Sequence, residues 1–267
     1  MRQLGRIYGR LLIAGFRRQS TYRLAALGGL AANLTFGLLK LAILSAAVRT
    51  TSGDLGGYDL ATMSAYIWIS QGLLGSVNLY GRLDLVDRVK TGDVAVEFLR
   101  PIDLQAATLA TELGRGLFTL LPRGLPPLLV GILVGMSGPS GWLGWLAGPI
   151  SLVLGMLTSY AMVYLIAVAG FWLVDVRGIQ MLYMAVAGFL GGLYVPIWIF
   201  PEWLTTLAVA TPFPAMLMYP VDVLSGRAEG LEIVGLLAAQ AGWLLVLLAV
   251  GQALTRAGRR VLEVQGG

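Results

Sequence analysis

Apolar stretches long enough to cross a lipid bilayer alternate with short charged loops along almost the whole chain. An α-helix rises about 1.5 Å per residue, so roughly 20 apolar residues cross the hydrocarbon core. Such stretches occupy residues 24–48, 60–80, 117–136, 143–174, 179–199 and 231–254. The sequence therefore predicts an all-α, polytopic membrane protein with six transmembrane helices.

Composition narrows the functions that such a protein can have. Hydrophobic residues make up 57% of the chain and charged residues 12%, well below the roughly 25% charged residues of a soluble domain. Cysteine and histidine are both absent, which removes disulfides, thiolate nucleophiles, imidazole bases and the commonest zinc ligands. We therefore expect no catalytic residue, no metal site and no enzymatic activity in this chain. The net charge of +5 comes from basic residues at helix ends, where anionic lipid and topology explain them better than nucleic acid does.

The first 23 residues carry six arginines and no acid, interleaved with apolar residues. That pattern is typical of a basic amphipathic helix on the cytoplasmic face of the membrane, ahead of one membrane domain over residues 24–267. The Lys/Arg bias of the loops places both termini in the cytoplasm. The opposite side then holds residues 49–59, 137–141 and 200–230, which contain few cations.

Residues 81–105 form the only sizeable cytoplasmic loop and are dense in both signs of charge. Thr91, Gly92 and Asp93 are expected to end one short helix and to cap the next. Apolar residues of the second helix would then be available to a partner before Pro101 stops it: Val94, Val96, Phe98 and Leu99. A docking helix and a solvated connecting loop both fit this pattern.

A few polar residues lie inside the predicted spans. Lys40 is flanked by leucines in the first span, where a lysine is either part of a functional site or extends its ammonium to the interface. One stripe of the second span carries Ser64, Trp68, Gln71, Gly75 and Asn78. That stripe could line a polar conduit or could pack against neighbouring helices through hydrogen bonds and small residues.

Two arginines also need partners, one just before the third span and one within it. Arg115 is three residues from Glu112 on one helical face and could pair with it. Arg123 lies deeper, close to Pro122, and needs a carboxylate, a carbonyl or water.

Four prolines divide the outer segment, residues 200–226, into pieces too short to span: Pro201, Pro212, Pro214 and Pro220. We expect a pair of short re-entrant helices on the outer side. Trp198, Trp203 and Tyr219 would anchor them at the interface.

No phosphate-binding G-x-x-x-x-G-K-[ST] loop occurs in the chain. If ATP powers transport, the ATPase must therefore be a separate polypeptide.

These features together resemble the ABC-2 type permeases of ATP-binding-cassette exporters, in particular a bacterial subfamily of about 260 residues. The resemblance is carried by the amphipathic N-terminal helix, the six spans and the sequence Glu97-Phe98-Leu99-Arg100-Pro101. It is also carried by the outer segment, which reads Phe200-Pro201…Trp203…Pro212-Phe213…Pro220…Gly226.

The resemblance implies roles for particular residues. A cytoplasmic coupling helix would contact the ATPase through Thr91, Gly92, Asp93, Val94, Glu97, Phe98, Leu99, Arg100 and Pro101. An outer gate would contain Pro201, Trp203, Pro212, Phe213 and Pro220. Within the membrane, the candidates for the translocation path are Lys40, Ser64, Gln71 and Asn78.

The implied assembly contains two copies of an ATPase, which bind ATP and Mg²⁺, and a second permease chain that is identical or homologous. This chain would bind no cofactor itself and would sit in the bacterial cytoplasmic membrane. We expect it to export a hydrophobic, amphipathic or cationic small molecule, or a lipid-like substrate, by alternating access. The alternatives are a secondary transporter driven by an ion gradient, which needs acids within the membrane, and, less favoured, an integral membrane enzyme.

Overall fold

The computed structural model describes residues 2–21, 23–51, 53–81, 83–173 and 175–261, and all regular elements among them are helices. They are α1 Arg2–Ser20, α2 Arg23–Thr50, α3 Leu60–Leu73, α4 Asp84–Thr91, α5 Val94–Phe98, α6 Leu104–Thr119, α7 Leu125–Leu133, α8 Trp142–Ala169, α9 Arg177–Leu190, α10 Glu202–Val209, α11 Phe213–Met216, α12 Met218–Ser225 and α13 Leu231–Val261. A π-helical turn, Leu120–Gly124, joins α6 to α7.

Four of these helical stretches are long and apolar enough to cross a membrane: Gly28–Thr50, Leu104–Leu133, Trp142–Ala169 and Leu231–Val261. They coincide with four of the six predicted spans. The other two predicted spans contain α3 and α9, which have only 14 residues each. Each is about 21 Å long, short of the roughly 30 Å hydrocarbon core.

The chain after α3 is irregular but stays inside the protein. Leu74, Val77 and Leu79 are all at most 9% exposed, which explains why hydropathy alone predicts a longer helix here. Side chains from other helices bind the backbone that the helix leaves free. The Tyr183 hydroxyl donates a hydrogen bond to the carbonyl of Asn78 at 2.7 Å. Irregular backbone is tolerated at membrane depth only when protein buries it in this way.

The end of α9 is satisfied by the same device. Helix α9 ends at Leu190, and Gly192 adopts a φ of +76°, which favours glycine. The Tyr66 hydroxyl donates to the carbonyl of Gly192 at 2.7 Å. The Lys40 ammonium donates to the carbonyl of Leu193 at 2.6 Å. Lys40 therefore binds the free backbone of a broken helix.

Prolines in the third span distort the helix without ending it. Pro122 lies in the π-helical turn, where the backbone N–H of Leu125 donates to the carbonyl of Leu120. Widening the turn by one residue accommodates the missing proline N–H. Helical structure consequently runs from Leu104 to Leu133.

The loops lie at the two ends of the helix bundle. Each end carries loops that the Lys/Arg bias assigns to the same side of the membrane. At the end that carries α1, α4 and α5, called the α1 end, Arg18 pairs with Asp84 at 2.7 Å. At the same end Gln252 donates to Asp103 at 2.7 Å. At the far end, which carries residues 53–59, 137–141 and 226–230, the backbone N–H of Ser137 donates to the carbonyl of Ala61 at 3.1 Å.

The outer segment forms three short helices rather than the expected pair. Helices α11 and α12 lie inside the protein, since Met216, Leu217 and Met218 are all 0% exposed. Gln240 of α13 donates to the carbonyl of Ala215 at 2.8 Å and holds this segment in place. The expectation that Tyr219 anchors the segment at the membrane interface is wrong, because Tyr219 is only 3% exposed.

Candidate functional site

The connecting segment, residues 83–103, places two short helices at the α1 end. The break falls at Gly92, as the sequence predicts, where a φ of +81° lets the backbone N–H bond the carbonyl of Val89. The predicted cap by Asp93 is wrong: its side chain makes no cap hydrogen bond to α5. The Asp93 carboxylate instead accepts a hydrogen bond from the Thr91 hydroxyl at 2.7 Å, which closes the turn between the helices.

Ion pairs fix the geometry of this segment. Glu97 pairs with Arg88 of α4 at 2.9 Å and with Arg100 at 3.1 Å. Both arginine side chains are more than one third exposed, so the pairs contribute little to stability. Their effect is positional, because a single carboxylate holds α4, α5 and the turn before Pro101 in one arrangement.

The apolar side chains of α5 divide into an inner and an outer set. Val94 is 0% exposed. Phe98 packs against Phe171, with ring centroids 6.2 Å apart, and lies under the Arg259 guanidinium at 5.4 Å. The expectation that Val94 is available to a partner is therefore wrong, because it is buried within the chain. Phe98 is only half-buried, so its contact with a partner stays a prediction.

Two neighbouring apolar side chains are available to a partner. Val96 is 56% exposed and Leu99 is 84% exposed. These two residues form the exposed apolar patch of the connecting segment, beside the ion-paired Arg100.

The polar stripe predicted along the second span does not stay on one helix: Ser64, Trp68 and Gln71 lie on α3, whereas Gly75 and Asn78 lie in the irregular chain after it. Ser64, Gln71 and Asn78 are each at most 7% exposed. The Asn33 amide of α2 donates to the carbonyl of Gln71 at 2.9 Å. The polar side-chain atoms Ser64 Oγ, Trp68 Nε1 and Gln71 Oε1 are buried without a hydrogen-bond partner among the described residues. Both interpretations of the stripe therefore stay open, and the assignment of these residues and Lys40 to a translocation path stays a prediction.

The gate residues predicted in the outer segment lie in two environments. Pro201 and Pro212 immediately precede α10 and α11, and Pro220 lies in the first turn of α12, where a missing N–H costs nothing. Phe213 packs near Tyr183, with ring centroids 6.3 Å apart. Trp203 of α10 is 69% exposed. The segment thus combines an exposed first helix with a buried remainder, and its role as a gate stays a prediction.

A buried charged cluster at the far end was missed by the sequence analysis. Asp222 of α12 is 1% exposed and accepts a hydrogen bond from the Trp198 indole N–H at 2.8 Å. The Arg227 guanidinium lies 3.8 Å from Asp222, over the Trp198 ring at 4.9 Å and over the Tyr58 ring at 5.2 Å. The available signal was a lone acid within the apolar run from Met218 to Leu224.

Four helices of spanning length, with the loops between them grouped at two ends, define a multi-pass membrane protein. A comparison with protein families adds the specific assignment. The model of the ABC-2 family transporter protein matches residues 34–266, so the chain belongs to this family and is a membrane permease component of a transporter. No curated protein sequence matches the chain.

Proposed function

We propose that this chain is the transmembrane subunit of an ATP-driven exporter and that the connecting segment receives the ATPase. The observation that carries the proposal is the exposed apolar patch of Val96 and Leu99 on a segment fixed by three ion-paired side chains. An exposed leucine gains about 1.5–3 kcal/mol when a partner buries it fully. Family membership supports the role of the whole chain.

The proposed assembly contains two ATPase copies and a second permease chain, identical or homologous. ATP and Mg²⁺ bind to the ATPase, since the chain has no phosphate-binding loop. The α1 end faces the cytoplasm of a bacterium, as the basic residues of α1 favour. Helices α3 and α9, with the buried irregular chain that continues them, complete six crossings. Alternating access would move a hydrophobic, amphipathic or lipid-like compound outward.

Replacing Leu99 by aspartate tests where the ATPase docks. A charge at this position would enter an apolar contact without a partner. We expect Leu99→Asp to reduce co-purification with the ATP-binding-cassette ATPase that the wild-type chain captures by at least about tenfold. Phe98 is unsuitable for this test, because it packs against Phe171 in the same chain.

Leu231→Asp is the matched control. Leu231 is 88% exposed, but it begins α13 at the far end of the molecule, next to Glu232. The control should retain the ATPase. Equal retention of the ATPase by wild type and Leu99→Asp would show that it docks elsewhere. ATP-dependent transport into inverted vesicles that lack an ion gradient tests the energy source separately.

A further inference from the structure

A polar cleft of about 440 Å³ opens at the α1 end beside the π-helical turn. Its walls come from the end of α1, the irregular chain after α3, and α6 with the π-helical turn. Two arginines, Arg115 and Arg123, line it together with Gln19, Asn78 and Tyr80. No carboxylate is among the described residues that line it. Glu112 beside the cleft pairs with Arg115, so Arg123 supplies the net positive charge of the cleft.

The Arg123 guanidinium has few partners within the described part of the chain. Its Nη2 atom lies 3.5 Å from the Asn33 side-chain oxygen, at the limit of a hydrogen bond. Its Nε atom is buried and has no hydrogen-bond partner among the described residues. The side chain as a whole is half-buried. A partly desolvated charge that lacks strong partners is costly, and a charge inside a membrane span is a functional hypothesis by default.

The surrounding backbone is shaped to admit this side chain. A Cβ atom on Gly29 would lie 2.5 Å from the Arg123 guanidinium carbon, and a Cβ on Gly75 would lie 3.4 Å from its Cδ. The Gly29 contact is too short to keep, so an alanine there would displace the flexible end of the Arg123 side chain, whereas the Gly75 contact with Cδ is an ordinary van der Waals distance. The π-helical turn that contains Arg123 is a distortion that frequently marks functional sites.

Arg115 lies eight residues before Arg123, about 12 Å nearer the α1 end. It pairs with Glu112 at 2.5 Å, as the spacing predicts, and its side chain is still 41% exposed. The cleft therefore has a solvent-accessible guanidinium at its mouth and a poorly partnered one at its deep end.

We propose that this cleft binds the anionic phosphate headgroup of an amphiphile from the leaflet at the α1 end. A guanidinium presents paired N–H donors that match two phosphate oxygens, and basic pockets between membrane helices suit such headgroups. The charge of the cleft disfavours a cationic ligand. A transported compound would enter the protein at this site. That role rests on the proposed function, and it narrows the substrate class of the exporter to phosphate-bearing amphiphiles.

Lipid retention by the purified full-length chain tests the site without any ATPase. The protein is exchanged into nanodiscs of equal parts phosphatidylglycerol and phosphatidylcholine, returned to mild detergent, and its retained lipids are counted by native mass spectrometry. Both lipids carry a phosphate, but the quaternary ammonium of phosphatidylcholine would lie beside the arginines of the cleft. Wild type should therefore retain phosphatidylglycerol in preference to phosphatidylcholine. Arg123→Gln should reduce that preference by at least about tenfold, the loss expected for one charge-assisted contact.

Two further variants separate a loss of the site from a general loss of structure or charge. Gly29→Ala displaces the Arg123 guanidinium without changing charge, so it should also reduce the preference even if Arg123→Gln folds poorly. Arg256→Gln removes an exposed arginine at the α1 end, outside the cleft, and should retain wild-type preference. Equal retention of both lipids by wild type, or equal losses in all three variants, would overturn the proposal.

A competition experiment distinguishes the source of the phosphate. Millimolar inorganic phosphate that displaces the retained lipid would support a site for phosphate itself, whereas unchanged retention would support recognition of the whole amphiphile. Because the measurement uses the permease alone, a negative result leaves ATPase docking and transport untouched.

Discussion

Asp222 is enclosed at the far end by the Trp198 indole and the Arg227 guanidinium. It lies outside the four helices of spanning length. Burial disfavours its charged form and raises the pKa of the Asp222 carboxyl to about 7, against the opposing effects of Arg227 and the Trp198 hydrogen bond. The cluster should therefore respond to pH near neutrality.

The sign of that response follows from the two states of the chain. An unfolded aspartate ionises near pH 4, whereas folded Asp222 keeps its proton to about pH 7. Between these values the folded state binds the additional proton, so the free energy of unfolding should fall as pH rises from about 4 to about 7. Thermal unfolding of the detergent-purified protein across this range measures the slope.

Asp222→Asn should flatten this dependence, because asparagine does not titrate. Glu202→Gln, an exposed acid of α10, should leave the wild-type slope in place. An Asp222→Asn protein with the same slope as wild type would show that Asp222 does not cause this dependence.

Residue chemistry was only partly predictable from the chain. Lys40 was recognised as costly, but its actual partner, the carbonyl of Leu193, lies 153 positions away along the sequence. The sequence predicted an exposed Phe98, because no local pattern reveals that its ring packs against Phe171. Contacts between distant segments decide both cases, and periodicity carries no information about them.

Among the elements, α1 and α6 approach each other closely at glycines, beside an edge-to-face pair of Phe16 and Phe118 with ring centroids 5.2 Å apart. A Cβ atom on Gly114 would collide with the backbone carbonyl of Leu12, and one on Gly15 with that of Thr111. Close backbone approach through small residues is a common way to pack helices in membranes. The amphipathic helix is thus docked on the protein as well as suited to the lipid surface.

Gly114→Ala should displace α1, because the obstacle is backbone that cannot rotate away. We expect faster trypsin cleavage after the α1 arginines and a lower melting temperature. Gly9→Ala is the matched control, since a Cβ there meets nothing within 4 Å, and alanine should if anything favour the helix. Unchanged proteolysis of Gly114→Ala would show that this packing does not hold α1.

Some helix ends can be predicted from the local sequence and others cannot. The break between α4 and α5 was predictable because glycine at Gly92 supplies the left-handed backbone that ends a helix. The early end of α3 was not, because hydropathy reports burial and the irregular chain after Leu73 is as buried as a helix. Similarly, the prolines near Pro122 indicated distortion but not that a π-helical turn would absorb it.

For the molecule as a whole, the topology can be tested with single cysteines, since the chain contains none. Ala210, just after α10, is exposed, whereas Ala215 of α11 is 0% exposed. With the α1 end in the cytoplasm, Ala210→Cys in intact cells should react with a membrane-impermeant maleimide. Ala215→Cys should react only when ATP turnover rearranges the outer segment. Labelling of Ala210→Cys only after permeabilisation would reverse the orientation.

Helix α13 runs unbroken for 31 residues, about 46 Å, and contacts functional candidates at two heights. Gln252 bonds Asp103 of the connecting segment, and Gln240 bonds the carbonyl of Ala215 in the outer segment. A rigid rod of this length acts as a lever, so a tilt of about 5° displaces one tip by about 4 Å relative to the other. A movement of the connecting segment can thereby move the outer segment through α13 itself. No flexible loop lies between the two contacts on this helix.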